Sequence, residues 1–144
     1  MDIGYVGQVE KIDTRLLRDL IAHDYIPVIA PIGVGADGES YNINADYVAA
    51  EIAGALAAEK LLLLTDVYKD YEDKSSFIST LTAAEARRYI EDGTLTGGMI
   101  PKVEACLRAL DAGAAKTHII DGRLGHSIIL EIFTSAGIGT QVVK

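Results

Sequence analysis

Two short segments carry residues whose types and spacing could bind an anion and stabilise negative charge. In the first, residues 96–102, two adjacent glycines precede a helical pattern with Lys102 in its first turn. Paired glycines leave backbone N–H groups open to an anion, and a helix dipole favours negative charge at its N-terminus. Lys102 could therefore stabilise a phosphoryl group during transfer. The alternative is a glycine-rich turn followed by a solvated lysine, because the pattern is not a Walker motif.

The second segment, residues 41–46, places Asn42, Asn44 and Asp46 at every second position before an otherwise apolar helix. If the chain is extended up to that helix, the three side chains project to one side. Their amide donors could then hold a carboxylate substrate, and Asp46 could orient a lysine. The alternative is an ordinary helix cap, since Asn and Asp are favoured there.

A third candidate lies where the apolar run 61–64 stops at Thr65 and Asp66. Ligands of open α/β sheets bind outside the carboxyl ends of strands, so this position suits an adenosine. A turn-forming aspartate is the alternative interpretation of Asp66. For these segments to form one site, Lys102 and Asp46 must converge on the same phosphate-sized space.

The elements that must position these residues alternate between apolar runs and segments of helical period, which predicts an α/β fold with mostly parallel strands. We expect one domain over residues 1–144. The predicted strands are a hairpin at 5–12 around Gly7, a buried strand at 25–32 that leads into a loop at 33–38, buried strands at 61–64 and 117–120, and an edge strand at 139–143. The predicted helices begin at Asp13, run over 45–59, begin at the capping box Thr82 to Glu85 and end at Gly93, run over 98–113, and run over 127–133.

Composition excludes several classes of protein. The net charge of -8 over 144 residues opposes binding to nucleic acid, although local amides and lysines can still hold a small anion. Charged residues interrupt the longest apolar stretch, so no membrane span is predicted. The first residues show no export pattern, which predicts a cytoplasmic protein. The single cysteine, Cys106, is predicted to be a buried apolar residue rather than a reactive thiol.

Taken in order, the segments resemble the acetylglutamate kinases of the amino-acid kinase family over nearly the whole chain. The Asn-x-Asn-Ala-Asp element at residues 42–46 separates that group from aspartokinases, carbamate kinases and uridylate kinases. The other matching segments are Tyr-Ile-Pro-Val-Ile-Ala-Pro-Ile-Gly at 25–33, Leu-Leu-Thr-Asp-Val at 63–67, Gly-Gly-Met-Ile-Pro-Lys-Val at 97–103 and His-Ile-Ile-Asp-Gly-Arg at 118–123.

The resemblance implies the C-terminal, nucleotide-binding lobe of a cytoplasmic enzyme of arginine biosynthesis, folded as a three-layer αβα sandwich with a mainly parallel open sheet. Such an enzyme transfers phosphate from ATP, bound with Mg²⁺, to the γ-carboxylate of N-acetyl-L-glutamate. Lys102 and Asp46 would be catalytic, and Asn42 and Asn44 would bind substrate. The nucleotide pocket would include Leu64, Thr65, Asp66, Gly98 and Met99. Mg²⁺ would arrive with the phosphates, without a metal site of the protein's own.

The resemblance also implies elements that do not match. A preceding lobe with a Gly-rich phosphate loop and a second lysine has no counterpart before Met1, so we expect the chain alone to be inactive. The family's glycine-containing segment after Val67 is replaced by Tyr68 and its neighbours. His118, Glu131 and Gly137 match an arginine effector pocket, although Glu131 could also be an ordinary exposed helix residue.

The full enzyme is expected to form a homo-oligomer under the control of arginine or a PII-type protein. Two other hypotheses stay open at this point. The chain could be a non-catalytic module that binds adenine nucleotides or docks with a regulator. It could also be a stable α/β fold whose polar clusters are only caps and turns.

Overall fold

A computed structural model describes residues 4–66, 78–135 and 137–144. In this part of the chain, helices and strands follow one another in the order expected of an α/β protein. The elements are α1 (Arg15–Ala22), β1 (Ile32–Val34), β2 (Ser40–Asn42), α2 (Ala45–Ala55), β3 (Lys60–Thr65), β4 (Thr80–Thr82), α3 (Ala83–Glu91), α4 (Met99–Ala112), β5 (Lys116–Asp121), α5 (Ser127–Phe133) and β6 (Thr140–Val143).

The central sheet has the strand order β3-β5-β6-β4. β3 and β5 are parallel, as are β4 and β6, while β5 and β6 are antiparallel. β1 and β2 form a separate antiparallel pair. The sheet is therefore mainly parallel, as predicted.

Helices cover both faces of the central sheet. Successive side chains of a strand point to opposite faces, so the two faces can be separated along β5. Ile119 packs in the core with residues of α2 and α4, whereas its neighbour His118 contacts Glu131 of α5. α2, α3 and α4 thus lie on one face and α5 lies on the other, which is the three-layer αβα arrangement.

Small residues bring α2 and α4 close together. Ala50, Ala53, Ala105 and Ala109 are all in the buried core. A Cβ added to Gly54 would lie only 2.3 Å from Cβ of Ala112, so glycine is required at this approach. The close packing fixes the distance between the two helices that carry Asp46 and Lys102.

Local signals in the sequence predicted the ends of α3 and α4 correctly. Thr82 and Glu85 form the expected capping box, and Gly93 follows α3 with a positive φ. α4 begins after Gly98 and ends at Gly113, with Pro101 in its first turn. Cys106 is fully buried, and burial raises the pKa of its thiol to about 11. The thiol therefore stays protonated at neutral pH.

The predicted buried strand at 25–32 is wrong. Residues 25–31 pair with no strand among the described residues, and β1 begins at Ile32. Ile26 is 90% exposed and Val28 is 97% exposed. An apolar run becomes a buried strand only when neighbouring strands pair with it, and the described residues supply no such neighbours.

Three other predicted elements need correction. Residues 5–12 form no hairpin, since Val6 makes only an isolated bridge with Asn42. The strand near the C-terminus, β6, lies inside the sheet between β5 and β4 rather than at its edge. The second helix ends at Ala55, short of the predicted residue 59.

The first helix begins as predicted near Asp13, but the cap position is Thr14, and Asp13 accepts a hydrogen bond from the backbone N–H of Arg15. An ion pair with the Arg15 side chain accompanies it. These hydrogen bonds lower the pKa of Asp13 to about 2. The apolar face of α1 is not buried, and Leu16 and Ile21 are exposed.

Candidate functional site

The carboxyl ends of β3 and β5 and the N-termini of α2 and α4 meet at one edge of the molecule. β3 and β5 are parallel, so Thr65 pairs with Asp121 at their carboxyl ends. α2 leads into β3 and α4 leads into β5, and each helix packs back against the sheet. Both helices therefore run opposite to these strands. Two helix dipoles and a strand edge converge on this site, which favours an anionic ligand.

The candidate catalytic pair lies at this edge. The Lys102 ammonium donates to both carboxylate oxygens of Asp46, at 3.1 Å and 3.4 Å. The two side chains are only 20% and 23% exposed, so the charges are partly shielded from water. The structure thus brings together two residues that are 56 positions apart in the sequence. A partly desolvated lysine held by a carboxylate is suited to meet incoming negative charge.

The two candidate substrate asparagines differ in their hydrogen bonds. Asn44 caps α2, and its side-chain oxygen accepts from the backbone N–H groups of Asp46 at 2.9 Å and Tyr47 at 3.4 Å. The expected helix cap is therefore present at this position, and the amide NH₂ group of Asn44 is left for a ligand. Asn42 is the last residue of β2 and its side chain is exposed.

The candidate nucleotide residues lie around the same edge. Leu64, Asp66 and Gly98 are exposed, and Thr65 and Met99 are half-buried. A Cβ added at Gly98 would meet nothing within 4 Å, so the backbone at the N-terminus of α4 is open. These positions are accessible from solvent, as a nucleotide-binding surface requires.

Sequence reasoning did not select Asp121, although the structure places it at this edge. Its buried carboxylate accepts hydrogen bonds from the backbone N–H and the guanidinium of Arg123. The signal was an apolar strand that ends in Asp-Gly-Arg. We expect this pair to shape the turn that follows β5.

The candidate effector residues form a second, separate cluster on the α5 face. The Glu131 carboxylate lies 2.6 Å from Nδ1 of His118 and accepts from the backbone N–H groups of Ile138 and Gly139. Gly137 approaches the same carboxylate with a positive φ. Burial of Glu131 raises the pKa of its carboxyl, but the two backbone hydrogen bonds and His118 outweigh that effect and the pKa is lowered. Glu131 is therefore not an exposed helix residue.

A cavity of about 610 Å³ is lined by neither Asp46 nor Lys102. Its walls come from the segment 7–13, from the neighbourhood of β1 and from Val48 and Ile52 of α2. Its lining contains no residue of α4 and none of the candidate nucleotide residues. The cavity adjoins the exposed apolar run before β1.

The described residues also bear on metal ligands and on membrane spans. The described residues contain no group of three or more His, Cys, Asp or Glu side chains that could hold a metal ion. No helix within these same residues has the length and apolar character needed to cross a bilayer. The altered segment after Val67 lies outside the described residues.

The fold and the edge define an αβα protein with a lysine–aspartate ion pair at the N-termini of two parallel helices. The model of the amino acid kinase family matches residues 1–121. The chain belongs to the amino acid kinase family.

Similar proteins agree with this assignment. The chain is 57% identical over 146 aligned positions to the acetylglutamate kinase of Moorella thermoacetica, covering 99% of the chain and 49% of that protein. It is 58% identical to the acetylglutamate kinase of Heliobacterium modesticaldum, covering 99% of the chain and 50% of that protein. The chain thus spans about half the length of these relatives.

Solved structures share the fold. N-acetylglutamate synthase from Neisseria gonorrhoeae, complexed with coenzyme A and L-arginine, superposes with a TM-score of 0.87 at 30% identity, covering 100% of the chain and 34% of that protein. Carbamate kinase from Giardia lamblia, bound to AMP-PNP, superposes with a TM-score of 0.70, covering 96% of the chain and 47% of that protein. At 19% identity the second match concerns the fold alone.

Proposed function

We propose that this chain is the nucleotide-binding lobe of an ATP-dependent acetylglutamate kinase. In the proposed reaction, an oxygen of the γ-carboxylate of N-acetyl-L-glutamate attacks the γ-phosphorus of ATP. The bond from that phosphorus to the bridging oxygen breaks, and ADP leaves. The observation that carries the proposal is the Lys102–Asp46 ion pair at 3.1 Å, at the N-termini of two parallel helices.

Each residue of the edge has a proposed role. Lys102 stabilises the negative charge on the phosphoryl oxygens, where a fixed cation in a partly desolvated site is most effective. Asp46 holds the ammonium in place. Gly98 and Met99 offer backbone to the phosphates, the end of β3 at Leu64, Thr65 and Asp66 receives the adenosine, and Asn42 and Asn44 hold the carboxylate substrate.

The relatives named acetylglutamate kinase support this choice of reaction and substrate. The chain spans about half of their length, so the segment that corresponds to their other half is expected to supply the rest of the substrate contacts. We therefore expect the chain alone to bind nucleotide without turning over. Mg²⁺ enters with ATP as part of the substrate.

Replacing Lys102 by Ala tests the proposal. In an active kinase that contains this chain, we expect kcat to fall by about 10²- to 10³-fold with little change in KM, because the interaction is made mainly in the transition state. Lys116→Ala is the matched control, because Lys116 lies at the amino end of β5, whereas the candidate site lies at the carboxyl end. An unchanged kcat in the Lys102 variant would remove Lys102 from the mechanism.

Calorimetry on the chain itself separates the kinase lobe from the other hypotheses. We expect wild-type chain to bind MgATP and MgADP, and Lys102→Ala to weaken MgATP binding more than MgADP binding, since only ATP carries the γ-phosphate. Phosphorylation of N-acetylglutamate by the chain alone would contradict the division of labour between two halves. A melting temperature that no nucleotide raises at millimolar concentration would favour a purely structural role.

Arginine binding at the α5 face is the second proposed function. Two observations favour it: His118, Glu131 and Gly137 lie together, and Nε2 of His118 is buried without a hydrogen-bond partner among the described residues. A guanidinium is a natural partner for such a carboxylate. Titration with L-arginine, with L-lysine as control, should give heat that is lost in Glu131→Gln. Equal heats for both amino acids would contradict the proposal.

A further inference from the structure

A row of polar contacts crosses the interface between α2 and α4 just behind the catalytic pair. The phenol of Tyr47 donates to the Glu104 carboxylate at 2.9 Å, and the guanidinium of Arg108 lies over the Tyr47 ring, 4.7 Å from its centroid. Arg108 also lies 3.8 Å from the Glu51 carboxylate. We call this row the seam, which comprises Tyr47 and Glu51 of α2 and Glu104 and Arg108 of α4.

The seam and the catalytic pair share one register between the helices. Asp46 meets Lys102 at a sequence offset of 56 residues, and Tyr47 meets Glu104 at an offset of 57. Contacts thus advance along both helices in the same direction, so α2 and α4 run parallel. A slide of one residue moves a helix by about 1.5 Å along its axis, which is enough to break a hydrogen bond.

The rest of the interface consists of small side chains. Below the seam, the contact is made by Ala50, Ala53, Gly54, Ala105 and Ala109. Small side chains let helices approach closely, but they form shallow ridges and grooves that hold the axial position less firmly than large ones. Tyr47 is a large, partly buried side chain that packs against the core at the end of this contact nearest Lys102.

We propose that Tyr47 is a positioning residue that holds α2 and α4 in the register at which Asp46 meets Lys102. Its phenol fixes Glu104 and its ring supports Arg108, so both of its contacts lie on the helix that carries Lys102. The role in catalysis rests on the kinase function proposed above, whereas the role in forming the ion pair does not.

The Tyr47–Glu104 hydrogen bond persists across the neutral pH range. The hydrogen bond to Glu104 and then burial raise the pKa of the Tyr47 phenol. The phenol therefore remains a donor throughout the neutral range. Asp46 and Arg108 are the other charged groups that face it, from α2 and α4 respectively.

The experiment measures how fast Lys102 of the chain reacts with an amine-specific acylating reagent at fixed pH, followed by peptide mass spectrometry. Asp46→Asn gives the rate for an unpaired Lys102. We expect Asp46→Asn and Tyr47→Phe both to raise the Lys102 rate by about two- to fivefold, the factor that matches loss of a partly exposed ion pair. The reaction rates of Lys60 and Lys116, at the amino ends of β3 and β5, serve as internal standards.

Tyr89→Phe is the matched control. Tyr89 also lies below an arginine, with Arg88 at 5.1 Å from its ring centroid, but its hydroxyl makes no hydrogen bond in the described part of the chain. The Tyr89→Phe variant should leave the acylation rate of Lys102 unchanged. A Tyr47→Phe rate equal to wild type, beside a raised Asp46→Asn rate, would overturn the proposal. An Asp46→Asn rate equal to wild type would overturn the ion pair itself, and the positioning role with it.

A second pair of variants covers the case in which Tyr47→Phe fails to fold. Glu104 is half-buried, and Gln at this position keeps an oxygen that accepts the phenol hydrogen bond, whereas Ala does not. Glu104→Ala should raise the Lys102 rate and Glu104→Gln should keep it near wild type. Equal rates in the two variants would contradict the proposal.

Kinetics then connect the register to the proposed activity. In an active kinase that contains this chain, Tyr47→Phe should lower kcat by roughly tenfold with little change in KM, because small displacements of a positioned group are costly. A normal kcat beside a faster Lys102 reaction would remove Lys102 from the mechanism and leave its positioning by Tyr47 intact. A loss of kcat without a change in Lys102 reactivity would overturn the positioning role.

Discussion

Glu131 shows how one buried carboxylate can organise a turn. It joins β5 through His118 and holds the segment before β6 through the N–H groups of Ile138 and Gly139. The side chains of Glu131 and His118 are only 5% and 7% exposed. A charge this deep is maintained because hydrogen bonds replace the water that burial removes.

This environment predicts a pH-dependent effect of Glu131→Gln. The pKa of Glu131 is lowered in the folded chain, so its contribution to stability is fully present above the unfolded pKa, near 4.5, and is lost as the pH falls through the folded pKa. We expect Glu131→Gln to lower the free energy of unfolding by about 1–3 kcal/mol at pH 7, the cost of weakening buried hydrogen bonds. The difference from wild type should shrink below about pH 4.

Urea unfolding followed at several pH values would measure both effects. Glu91→Gln is the control, since Glu91 ends α3 on an exposed face. It should change stability little at any pH. A Glu131→Gln deficit that does not vary between pH 7 and pH 3 would show that the carboxylate charge is not the source of the stabilisation.

At the scale of elements, the contact between α2 and α4 determines where the site forms. Each helix carries one member of the candidate catalytic pair in its first turn, and the helices are parallel because each leads into a parallel strand. The close approach at Gly54 holds the far ends of the helices together. The site therefore depends on packing some two turns away from it.

Gly54→Ala tests this dependence. The added Cβ would lie 2.3 Å from Cβ of Ala112 and 3.3 Å from the backbone of the same residue, so the helices must move apart. Overpacking of this kind costs about 1–3 kcal/mol. Thermal unfolding should show a lower Tm, and calorimetry should show weaker MgATP binding because the Lys102–Asp46 geometry shifts.

Gly125→Ala is the matched control, since a Cβ at Gly125 would meet nothing within 4 Å. It should leave both measurements near wild type. A Gly54→Ala chain as stable as wild type would mean that the two helices adjust at no cost. In that case the tight packing would not support the site.

Elements whose signals are local were predictable from the sequence. The capping box of Thr82 and Glu85 and the glycines after α3 and α4 mark helix ends through contacts within a few residues. The location of Lys102 in a helical first turn followed from the same kind of signal. Its proximity to Asp46 required the additional inference that parallel strands share one carboxyl edge.

Elements that depend on distant partners were not predictable. Residues 25–32 have the composition of a buried strand, but burial requires neighbouring strands that the local sequence does not specify. In the same way, the apolar pattern of β6 does not reveal that it lies between β5 and β4. For Glu131 an exposed helix position stayed open as an alternative, because its partners come from β5 and from the turn before β6.

At the scale of the whole molecule, the segment around β1 and the helix α1 leave many apolar side chains exposed. The extended run before β1 exposes Ile26 and Val28, and β1 itself exposes Ile32 and Val34. The exposed face of α1 adds Leu16 and Ile21. Large exposed apolar patches often mark an interface, and backbone without a pairing strand is a template for association. The chain also spans about half the length of its relatives.

We therefore predict that the chain self-associates through the run 25–34, and that charges placed there suppress the association. Ile26→Lys with Val28→Lys should shift the chain toward monomer in light scattering across a range of concentrations, because both side chains point to solvent and neither supports the core. Phe133→Lys replaces another exposed apolar side chain, which ends α5 outside the run 25–34, and should leave association unchanged. If the segment matching the other half of the relatives covers this run, its co-expression should abolish association of the wild-type chain and have little effect on the double lysine variant. A wild-type chain that stays monomeric at all concentrations would mean that the exposed run needs no partner.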